Sequence, residues 1–600
     1  MISLKEFKLE DLKNYSLNEL DDLATILRKE IIEKVSINGG HLASNLGVVE
    51  LSIALHFVFN SPHDKLIFDV SHQTYTHKLL TGRNLDNLRK FNGTSGFSKT
   101  SESIHDVFEG GHSSTSIGAG LGFLYAKEQG ADIGEIISVI GDASVTNGLA
   151  FEALNILGQD KNKKMIIIIN DNEMSISKNV GSLAKTLNKV RIGKGYRAFK
   201  RSVPKFIYKL GKKVSSSLKA YAYNNKFFSS LGYSYIEGID GHNFKELIKY
   251  LLYAKESKNS VVLHVKTIKG KGYKFAEEDK IGLWHHVPAF DIETGIFKSA
   301  SVKTTGEYIS DYLISKKEEW DKMHIITPAM SLGSGISKLQ NELGNKFIDC
   351  GIAEELAILI GSSLSINGRI PFIFIYSSFL QRAYDQILHD AARTNQHMII
   401  CVDRAGIVSS DGDTHQGIYD LAFLSTIPNV LIYQPKSIND LLNTLDYAYH
   451  NHGVYVIRYH KVSNGFDIIN PNINNYEILI ELKDKNILTY GKNSLKFYQY
   501  IKDNNLNYGL ISVNNLLDID NNILNKLNDF STLIVYDEVI KTGSLGNKLL
   551  NNEVIKEKNI KIKHYSLPND YLVNGTEEEI LKYYHLNISD ILEEEEKENV

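Results

Sequence analysis

Two polar positions in the first third of the chain have the residue types of a magnesium site. Asp142 follows the aliphatic run of residues 135–141, and Asn172 follows the next such run, residues 165–169. Magnesium takes few protein oxygens and completes its coordination with water and phosphate oxygens. The pair therefore predicts a Mg²⁺ ion that carries a diphosphate-bearing cofactor. The alternative is that these Gly-Asp and Asn-Asp-Asn sequences only form turns after strands, and the two residues alone leave both interpretations open.

The segments that must position these residues read as strand, helix and strand. Residues 135–142 and 165–171 have the continuous aliphatic runs of parallel strands buried on both faces, and a helical stretch at 149–157 lies between them. Parallel strands bring their carboxyl ends to one edge of a sheet, which is where open α/β sheets bind ligands. The sequence thus predicts an α/β fold with mostly parallel sheets.

The same alternation continues along the chain and divides it into three predicted α/β domains. Further strands are predicted at 261–267, 347–351, 371–377, 398–404, 429–435 and 454–459, with helices from Glu354 and over 380–395. The domains are expected at 1–300, with an insertion near 182–232, at 301–465 and at 466–600. The acidic tail 592–600 is expected to remain unordered because it has little apolar surface to bury.

Composition limits the class of protein. The 600 residues are 42% hydrophobic and 23% charged with a formal net charge of −4, typical of a globular enzyme. The basic stretch 189–213 is interpreted as a solvated face, so no nucleic-acid partner is expected. Without an apolar leader or a run of about 20 apolar residues, we expect a soluble, cytoplasmic protein with no membrane partner. Cys350 and Cys401 are predicted to be core thiols. The sequence contains neither a Walker A loop nor a GxGxxG motif after its first strand, which disfavours a nucleotide-binding enzyme.

Several segments together carry a family resemblance. Residues 142–156 and 171–178 resemble the thiamine-diphosphate motif of the transketolase superfamily. Five further segments, in the same order along the chain, resemble the 1-deoxy-D-xylulose-5-phosphate synthases of that superfamily: GGHLASNLGVVEL (39–51), DVSHQTYTHKLLTGR (69–83), GGHSSTSIGAGLG (110–122), IYSSFLQRAYDQILHD (375–390) and DRAGIVSSDGDTHQG (403–417).

The resemblance implies a fold, an activity and cofactors. The fold is transketolase-like, and the expected cofactors are thiamine diphosphate and Mg²⁺, bridging the first two domains. The expected reaction joins pyruvate to D-glyceraldehyde 3-phosphate, which gives 1-deoxy-D-xylulose 5-phosphate and CO₂. The resemblance further implies a homodimer that supplies precursors for isoprenoid, thiamine and pyridoxal synthesis.

The resemblance also implies roles for single residues. Asp142, Asn172 and the Met174 carbonyl match metal ligands, and His41 and His415 match catalytic positions. The expected cofactor contacts are His72, Gly111, His112, Ser113, Ala143, Ser144, Asn172, Tyr273, Glu354 and Phe379. Lone histidines are more often structural than functional, but these histidines lie in matched Gly- and Ser-rich loops, which favours function.

Glu354 is expected to act on the cofactor's aminopyrimidine ring. A carboxylate bonded to the ring nitrogen promotes the imino tautomer, which then removes the proton from the thiazolium C2 atom. The alternative for Glu354 is a helix N-terminal glutamate that the macrodipole favours. Phe379 matches the aromatic residue that stacks on the pyrimidine, and otherwise it would be a core residue.

The acceptor site is expected to include Tyr376, Arg404, Asp411, Arg458 and Lys461. Arginine suits a phosphate because its planar fork donates two hydrogen bonds, while the alternative for Arg404 is a salt bridge at a strand end. The sequence departs from the family in three places. Gly-Asp-Ala replaces GDG, Glu355-Leu356 replaces Gln-His, and Arg458-Tyr459-His460-Lys461 replaces RYPR. Lys461 could face the acceptor phosphate or lie on the surface, with Arg458 as the phosphate ligand or neither residue involved.

Three other functions remain open from the sequence. A transketolase would transfer a two-carbon ketol unit with the same cofactor. A 2-oxo acid dehydrogenase component would pass its two-carbon unit to a lipoyl partner. An inactive paralogue would bind thiamine diphosphate without turnover, which the departures at Glu355, Leu356 and Lys461 motivate.

Overall fold

A computed structural model describes residues 4, 6–172, 226–299, 302–409, 412–462, 475–517 and 520–597. The chain forms two compact units, residues 1–300 and 301–600. No helix within those described ranges is long and apolar enough to cross a membrane.

The first unit contains a five-stranded, wholly parallel sheet in the order β1-β2-β3-β5-β4. Its strands are β1 Lys65–Phe68, β2 Ile136–Gly141, β3 Ile166–Asp171, β4 Ser234–Asp240 and β5 Val261–Lys266. Its helices are Leu17–Asn38, Leu42–Gly47, Val49–Val58, Tyr75–Leu80, Ser116–Glu128, Gly148–Gln159, Lys226–Ser230, Phe244–Glu256 and Lys274–Glu277. Every residue of β3 is buried, and apolar clusters cover both faces of the sheet. The aliphatic run at 165–169 therefore forms the buried parallel strand that the sequence predicts.

The second unit contains two sheets, of which the first is six-stranded and wholly parallel in the order β10-β11-β9-β8-β6-β7. Its strands are β6 Met323–Thr327, β7 Phe347–Asp349, β8 Ile370–Tyr376, β9 Met398–Asp403, β10 Val430–Tyr433 and β11 Val454–Tyr459. The helices between its strands include Thr305–Lys316, Ser337–Leu343, Glu354–Ile366, Ser377–Leu380, Asp420–Leu424 and Ile438–His450.

The other sheet of the second unit has five strands in the order β12-β14-β13-β15-β16, and its edge strand β12 is antiparallel. The strands are β12 Tyr476–Ile480, β13 Lys485–Tyr490, β14 Gly509–Val513, β15 Thr532–Ile540 and β16 Lys561–Leu567. The helices are Lys492–Asp503, Asn521–Leu524, Leu545–Leu549, Glu553–Glu557, Glu577–Tyr583 and Ile588–Lys597. The α/β class with mostly parallel sheets is thus confirmed, whereas the three-domain boundaries stay a prediction. Most of the expected insertion at 182–232 lies outside the described residues.

Two predicted elements differ from the structure. The single helix expected at 380–395 is instead a chain of short pieces, which pass from the helix Ser377–Leu380 through 3-10 and α turns into the π-helical turn Ile387–Ala392. The acidic tail is ordered as the helix Ile588–Lys597 up to residue 597, so the expectation of disorder there is wrong. Ile591 and Leu592 are buried, and Glu595 accepts hydrogen bonds from Lys563 Nζ at 2.7 Å and Tyr565 Oη at 2.8 Å.

Candidate active site

One buried carboxylate, Asp69, organises the edge of the first unit's sheet. Asp69 follows β1 and accepts hydrogen bonds from the backbone N–H groups of Ser114 at 2.8 Å and Ser116 at 3.1 Å. Burial raises its pKa, and these two N–H donors oppose the rise. The Ser114 hydroxyl donates to the Ser144 carbonyl at 2.9 Å. The segment with Gly111, His112 and Ser113 therefore lies beside the turn with Asp142, Ala143 and Ser144.

The two predicted metal ligands lie at the same edge of this sheet. Gly141 of β2 pairs in register with Asn170 of β3, so Asp142 and Asn172 both follow carboxyl ends of adjacent parallel strands. Asp142 is buried, and its charge opposes the lowering of the Lys269 pKa, which burial causes. Met174 lies outside the described residues. Among the ranges that the structure describes, no three His, Cys, Asp or Glu side chains cluster as metal ligands.

These donors fit the implied group. The donors are the buried Asp142 carboxylate and the Asn172 residue at the adjacent strand end, and both suit Mg²⁺ whose remaining positions are taken by a diphosphate. The Lys269 cation interacts with Asp142 and would suit the negative charge of the diphosphate. Lys269 was not among the predicted residues. The Lys-Gly-Lys-Gly sequence at 269–272 was the signal that could have indicated it.

Four histidines cluster in the first unit. The ring of His41 lies 5.3 Å from His72, 5.6 Å from His285 and 4.9 Å from His286, between centroids. The Asn45 side-chain amide donates to the carbonyls of His41 at 2.6 Å and His72 at 2.7 Å, which ties the two predicted histidines together. The sequence analysis missed His285 and His286, although they form the adjacent pair in the irregular stretch after β5.

The environment of His41 keeps its ring neutral. Burial lowers its pKa well below the ordinary value, and the neighbouring histidines add to that effect. Its Nδ1 atom is buried and has no hydrogen-bond partner among the described residues. A neutral imidazole with an unsatisfied nitrogen is suited to exchange a proton with a bound ligand.

Tyr273 is placed differently from the other expected cofactor contacts. Its ring packs among Phe275, Trp284 and Phe290, and its hydroxyl donates to the Ile292 carbonyl at 3.0 Å. This placement favours a core role over a cofactor contact.

In the second unit, Glu354 begins the helix Glu354–Ile366, which follows β7 after a connection of residues 350–353. The side chain is buried, and burial raises its pKa, with the Arg382 cation opposing the rise. Arg382 NH1 is 3.6 Å from Oε2. Among the described residues, Oε2 has no hydrogen-bond partner. Because a buried carboxylate oxygen that accepts no hydrogen bond is costly even beside a cation, this atom fits the expected hydrogen bond to a ligand ring nitrogen.

Four of the residues expected at the cofactor and acceptor form one stack. The Arg404 guanidinium lies 3.7 Å above the ring of Tyr376, which stacks on Phe379 at 5.5 Å and 10°. His415 meets Phe379 edge-on at 5.5 Å. Tyr376 ends β8 and Arg404 follows β9, and these strands pair in register. Their juxtaposition is therefore a consequence of sheet order.

Arg404 is held in place by its own strand end. It donates to the Asp403 carboxylate and, through NH2, to the Gly333 carbonyl at 3.0 Å. Its backbone has a φ of 61°, which is uncommon for a residue with a side chain and recurs at functional sites.

The remaining expected acceptor residues differ in burial. Arg458 is wholly buried, donates to both carboxylate oxygens of Asp420 at 2.8 Å, and also contacts Gln434. This placement favours a structural role for Arg458 over substrate binding. Lys461 is exposed just after β11, and its charge helps to oppose the burial-raised pKa of Asp403. Asp411 lies outside the described residues.

Comparison with known proteins gives a family. Residues 4–267 match the family described as 1-deoxy-D-xylulose-5-phosphate synthase, and residues 302–465 match the transketolase pyrimidine binding domain. The 1-deoxy-D-xylulose-5-phosphate synthase of Macrococcus caseolyticus is 39% identical and aligns over 97% of this chain and 96% of the relative. That of Clostridium tetani is 40% identical over 97% of each chain.

Solved structures also match over most of the chain. The transketolase of Campylobacter jejuni is 16% identical, with a TM-score of 0.40, over 96% of this chain and 99% of that one. The full-length similarity at about 39% identity to curated relatives decides the assignment. This chain belongs to the 1-deoxy-D-xylulose-5-phosphate synthase family.

Proposed function

We propose that the chain catalyses the thiamine-diphosphate-dependent condensation of pyruvate with D-glyceraldehyde 3-phosphate, which gives 1-deoxy-D-xylulose 5-phosphate and CO₂. Family membership supports this activity. The Oε2 atom of Glu354, buried beside Arg382 without a hydrogen bond among the described residues, is the observation that carries it. The cytoplasmic location and the homodimer stay predictions.

The proposed cofactor set is thiamine diphosphate with Mg²⁺. Asp142 and Asn172 would hold the ion, and the segment 111–113 would contact the diphosphate from the neighbouring loop. When bound, thiamine diphosphate supplies the carbon nucleophile and the electron sink that decarboxylation requires.

The protein's own residues would bind and transfer protons. Burial raises the pKa of Glu354, with Arg382 opposing the rise, which favours a carboxyl group that shares a proton with a ring nitrogen. The neutral His41 imidazole is suited to donate or accept a proton on the substrate. Arg404 would bind the acceptor phosphate because its planar cation is already oriented on the Tyr376 ring.

Product identification tests the proposal. The purified chain, with thiamine diphosphate and Mg²⁺, is given ¹³C-labelled pyruvate and D-glyceraldehyde 3-phosphate, and the products are identified by NMR. We expect labelled 1-deoxy-D-xylulose 5-phosphate together with CO₂ from the pyruvate carboxyl group.

Other outcomes would contradict the proposal in distinguishable ways. Ketol transfer from a ketose phosphate without release of pyruvate CO₂ would identify a transketolase. Turnover that requires an added lipoyl domain would identify a 2-oxo acid dehydrogenase component. Cofactor binding by calorimetry without any product would identify an inactive paralogue.

A further inference from the structure

A single carboxylate in the last sheet contacts two loops of the preceding sheet. Glu538 lies in β15 and is 2% exposed. Its Oε1 accepts a hydrogen bond from the Ile407 backbone N–H at 3.1 Å. Its Oε2 lies 3.1 Å from His460 Nε2 and accepts a hydrogen bond from Asn493 Nδ2 at 2.7 Å. Glu538 therefore joins the segment after β9 to the segment after β11.

These two segments carry the two cations expected at the acceptor phosphate. Arg404 lies three residues before Ile407, and Lys461 directly follows His460. The strands β9 and β11 pair as neighbours, and Asp403 is in register with Tyr459. The sheet brings the two strand ends together, and Glu538 contacts the segment that follows each of them.

The backbone around Gly406 is fitted to this carboxylate. Gly406 has a φ of 81°, and a Cβ atom there would lie 2.7 Å from Glu538 Oε1 and 3.0 Å from His460 Nε2. Gly406 also exchanges backbone hydrogen bonds with Gly417, at 2.7 and 2.9 Å, which closes the hairpin that contains His415. The carboxylate thus lies against the base of the hairpin.

The charges around Glu538 keep it ionised. Burial alone would raise its pKa, but the Lys492 cation and the hydrogen bond with His460 outweigh burial and leave the pKa well below the ordinary value. Lys492 Nζ is 3.7 Å from Oε1 and also pairs with Glu577 at 2.8 Å. Burial, with Lys492 adding to it, lowers the pKa of His460, so its neutral ring can donate from Nε2 to the carboxylate.

We propose that Glu538 is a positioning residue for the acceptor phosphate, because it fixes the distance between Arg404 and Lys461. It contacts the segment that carries Lys461 through the His460 imidazole. The inference rests on the proposed function and deepens it. The family sequence that this chain resembles has proline at position 460, and proline has no side-chain donor for a carboxylate. The His460–Glu538 contact therefore depends on a residue at which this chain departs from that sequence.

Two substitutions test the proposal, with one matched control. Glu538→Gln keeps the shape but removes the charge, and His460→Pro removes the imidazole. Glu577→Gln is the control, because the Glu577 carboxylate pairs with Lys492 and Lys496 in the same network. Its one contact with the segment after β9 is the hydrogen bond from its backbone N–H to Ser409 Oγ at 3.1 Å, which the substitution keeps.

We expect both test variants to raise KM for D-glyceraldehyde 3-phosphate roughly tenfold, as for a lost buried hydrogen bond. The KM values for pyruvate and for unphosphorylated glyceraldehyde, and kcat, should change by less than about twofold. Glu577→Gln should change none of these parameters. A purely structural role would instead affect both aldehydes alike.

Equal changes for the two aldehydes, a change in kcat alone, or the same effect from Glu577→Gln would overturn the proposal. If Glu538→Gln does not fold, the same comparison with His460→Pro decides it. Failure of the proposed function would appear differently, because the unsubstituted chain would then make no 1-deoxy-D-xylulose 5-phosphate, and this inference would fall with it.

Discussion

At the scale of single residues, the local environment of Glu354 bears on the choice between a catalytic and a capping role. Both roles place a glutamate in the first turn of a helix, but a capping glutamate is satisfied by backbone N–H groups. Oε2 of Glu354 is buried and has no hydrogen-bond partner among the described residues. This environment is consistent with the predicted hydrogen bond from Oε2 to a ligand, although Arg382 also pairs with the same oxygen at 3.6 Å.

Glu354→Gln should leave cofactor binding almost unchanged and slow proton exchange at the cofactor's C2 atom by about 10²–10⁴, the usual effect of losing a positioned acid–base group. Hydrogen–deuterium exchange measured by NMR checks the rate, and calorimetry checks binding. Glu355→Gln is the control, since it removes a carboxylate from the same helix turn. Exchange at the parent rate in Glu354→Gln would assign the role to another residue.

Asp142 gives a prediction about the metal. Asp142→Asn should weaken thiamine-diphosphate binding at least about tenfold when Mg²⁺ is present, because the bridge between carboxylate and diphosphate is lost. With Mg²⁺ removed by a chelator, the parent and the variant should bind equally weakly. Asp132→Asn, at an exposed side chain, should bind like the parent. Unchanged affinity of Asp142→Asn would exclude this residue as a ligand.

Lys461 gives a prediction about the acceptor. Lys461→Ala should raise KM for D-glyceraldehyde 3-phosphate but not for glyceraldehyde, and Lys461→Arg should lower it with little change in kcat. Arg404→Ala should act like Lys461→Ala but more severely, because Arg404 is buried against Tyr376. Steady-state kinetics with both aldehydes checks this, with the exposed Lys338→Ala as the control. An equal effect on both aldehydes, or none, would place Lys461 outside the phosphate site.

At the scale of elements, the loop 110–116 depends on a glycine that packs against the end of β1. A Cβ atom on Gly110 would overlap the Ser71 hydroxyl and the Val70 carbonyl. Val70 and Ser71 themselves have φ values of 57° and 65°, so this backbone is already constrained and has little room to adjust.

Gly110→Ala should therefore displace the loop, lower the free energy of unfolding by about 1–3 kcal/mol, and weaken cofactor binding. Calorimetry and denaturant unfolding measure the two effects. Gly118→Ala is the control, because a Cβ atom at Gly118, in the helix that follows the loop, meets no atom within 4 Å. Equal affinity in the two variants would contradict a role for the loop in binding.

The elements also show which parts of the fold the sequence predicts. The strands that were predicted match the structure to within two residues, because burial on both faces requires continuous aliphatic runs, as in Ile166–Asp171. The sequence did not predict β1, β4, β6, β12 and β16. The prediction of a single helix over 380–395 was wrong because hydrophobic spacing does not distinguish α-helical turns from 3-10 and π turns. The prediction that the acidic tail is unordered was wrong because an ion pair with another element, from Lys563 to Glu595, stabilises its helix.

The same reasoning applies to the site. Asp142 and Asn172 could be predicted from strand ends alone, since neighbouring parallel strands share an edge. The stack of Arg404, Tyr376 and Phe379 depends on the pairing of β8 with β9, which the sequence did not give; the family resemblance supplied only the roles of these residues. His285 and His286 were missed because they lie in an irregular stretch without periodicity.

At the scale of the whole molecule, the first unit contains a buried relay of titratable groups. His56 Nε2 lies 2.8 Å from His77 Nδ1, and His77 Nε2 lies 2.9 Å from Asp106, which also accepts from Arg83. Burial lowers the pKa of both histidines, well below the ordinary value for His56. For Asp106, burial would raise the pKa, but His77 and Arg83 outweigh it and leave it lowered.

These shifts give the sign of a pH dependence. The histidines have lower pKa values in the folded state, so the unfolded chain takes up protons first as pH falls through about 6.5. Their contribution to stability is complete above that pH and is lost below it. The contribution of Asp106 is present above its unfolded pKa of about 3.9 and is lost only at lower pH. Between pH 7 and 5 the histidines therefore decide the trend.

We expect the free energy of unfolding of the first unit to fall from pH 7 to 5, by up to about 1.4 kcal/mol per pH unit for each histidine that stays neutral when folded. The chain has two tryptophans, and in Trp320→Phe the fluorescence of Trp284 reports the first unit alone, which avoids treating a two-unit chain as one transition. Urea midpoints at constant ionic strength provide the measurement. When His56→Gln is added to Trp320→Phe, the urea midpoint should depend less strongly on pH, because the glutamine amide can still donate to His77 Nδ1 but does not titrate. A midpoint that stays constant or rises from pH 7 to 5 would show that these histidines are not held neutral by the fold.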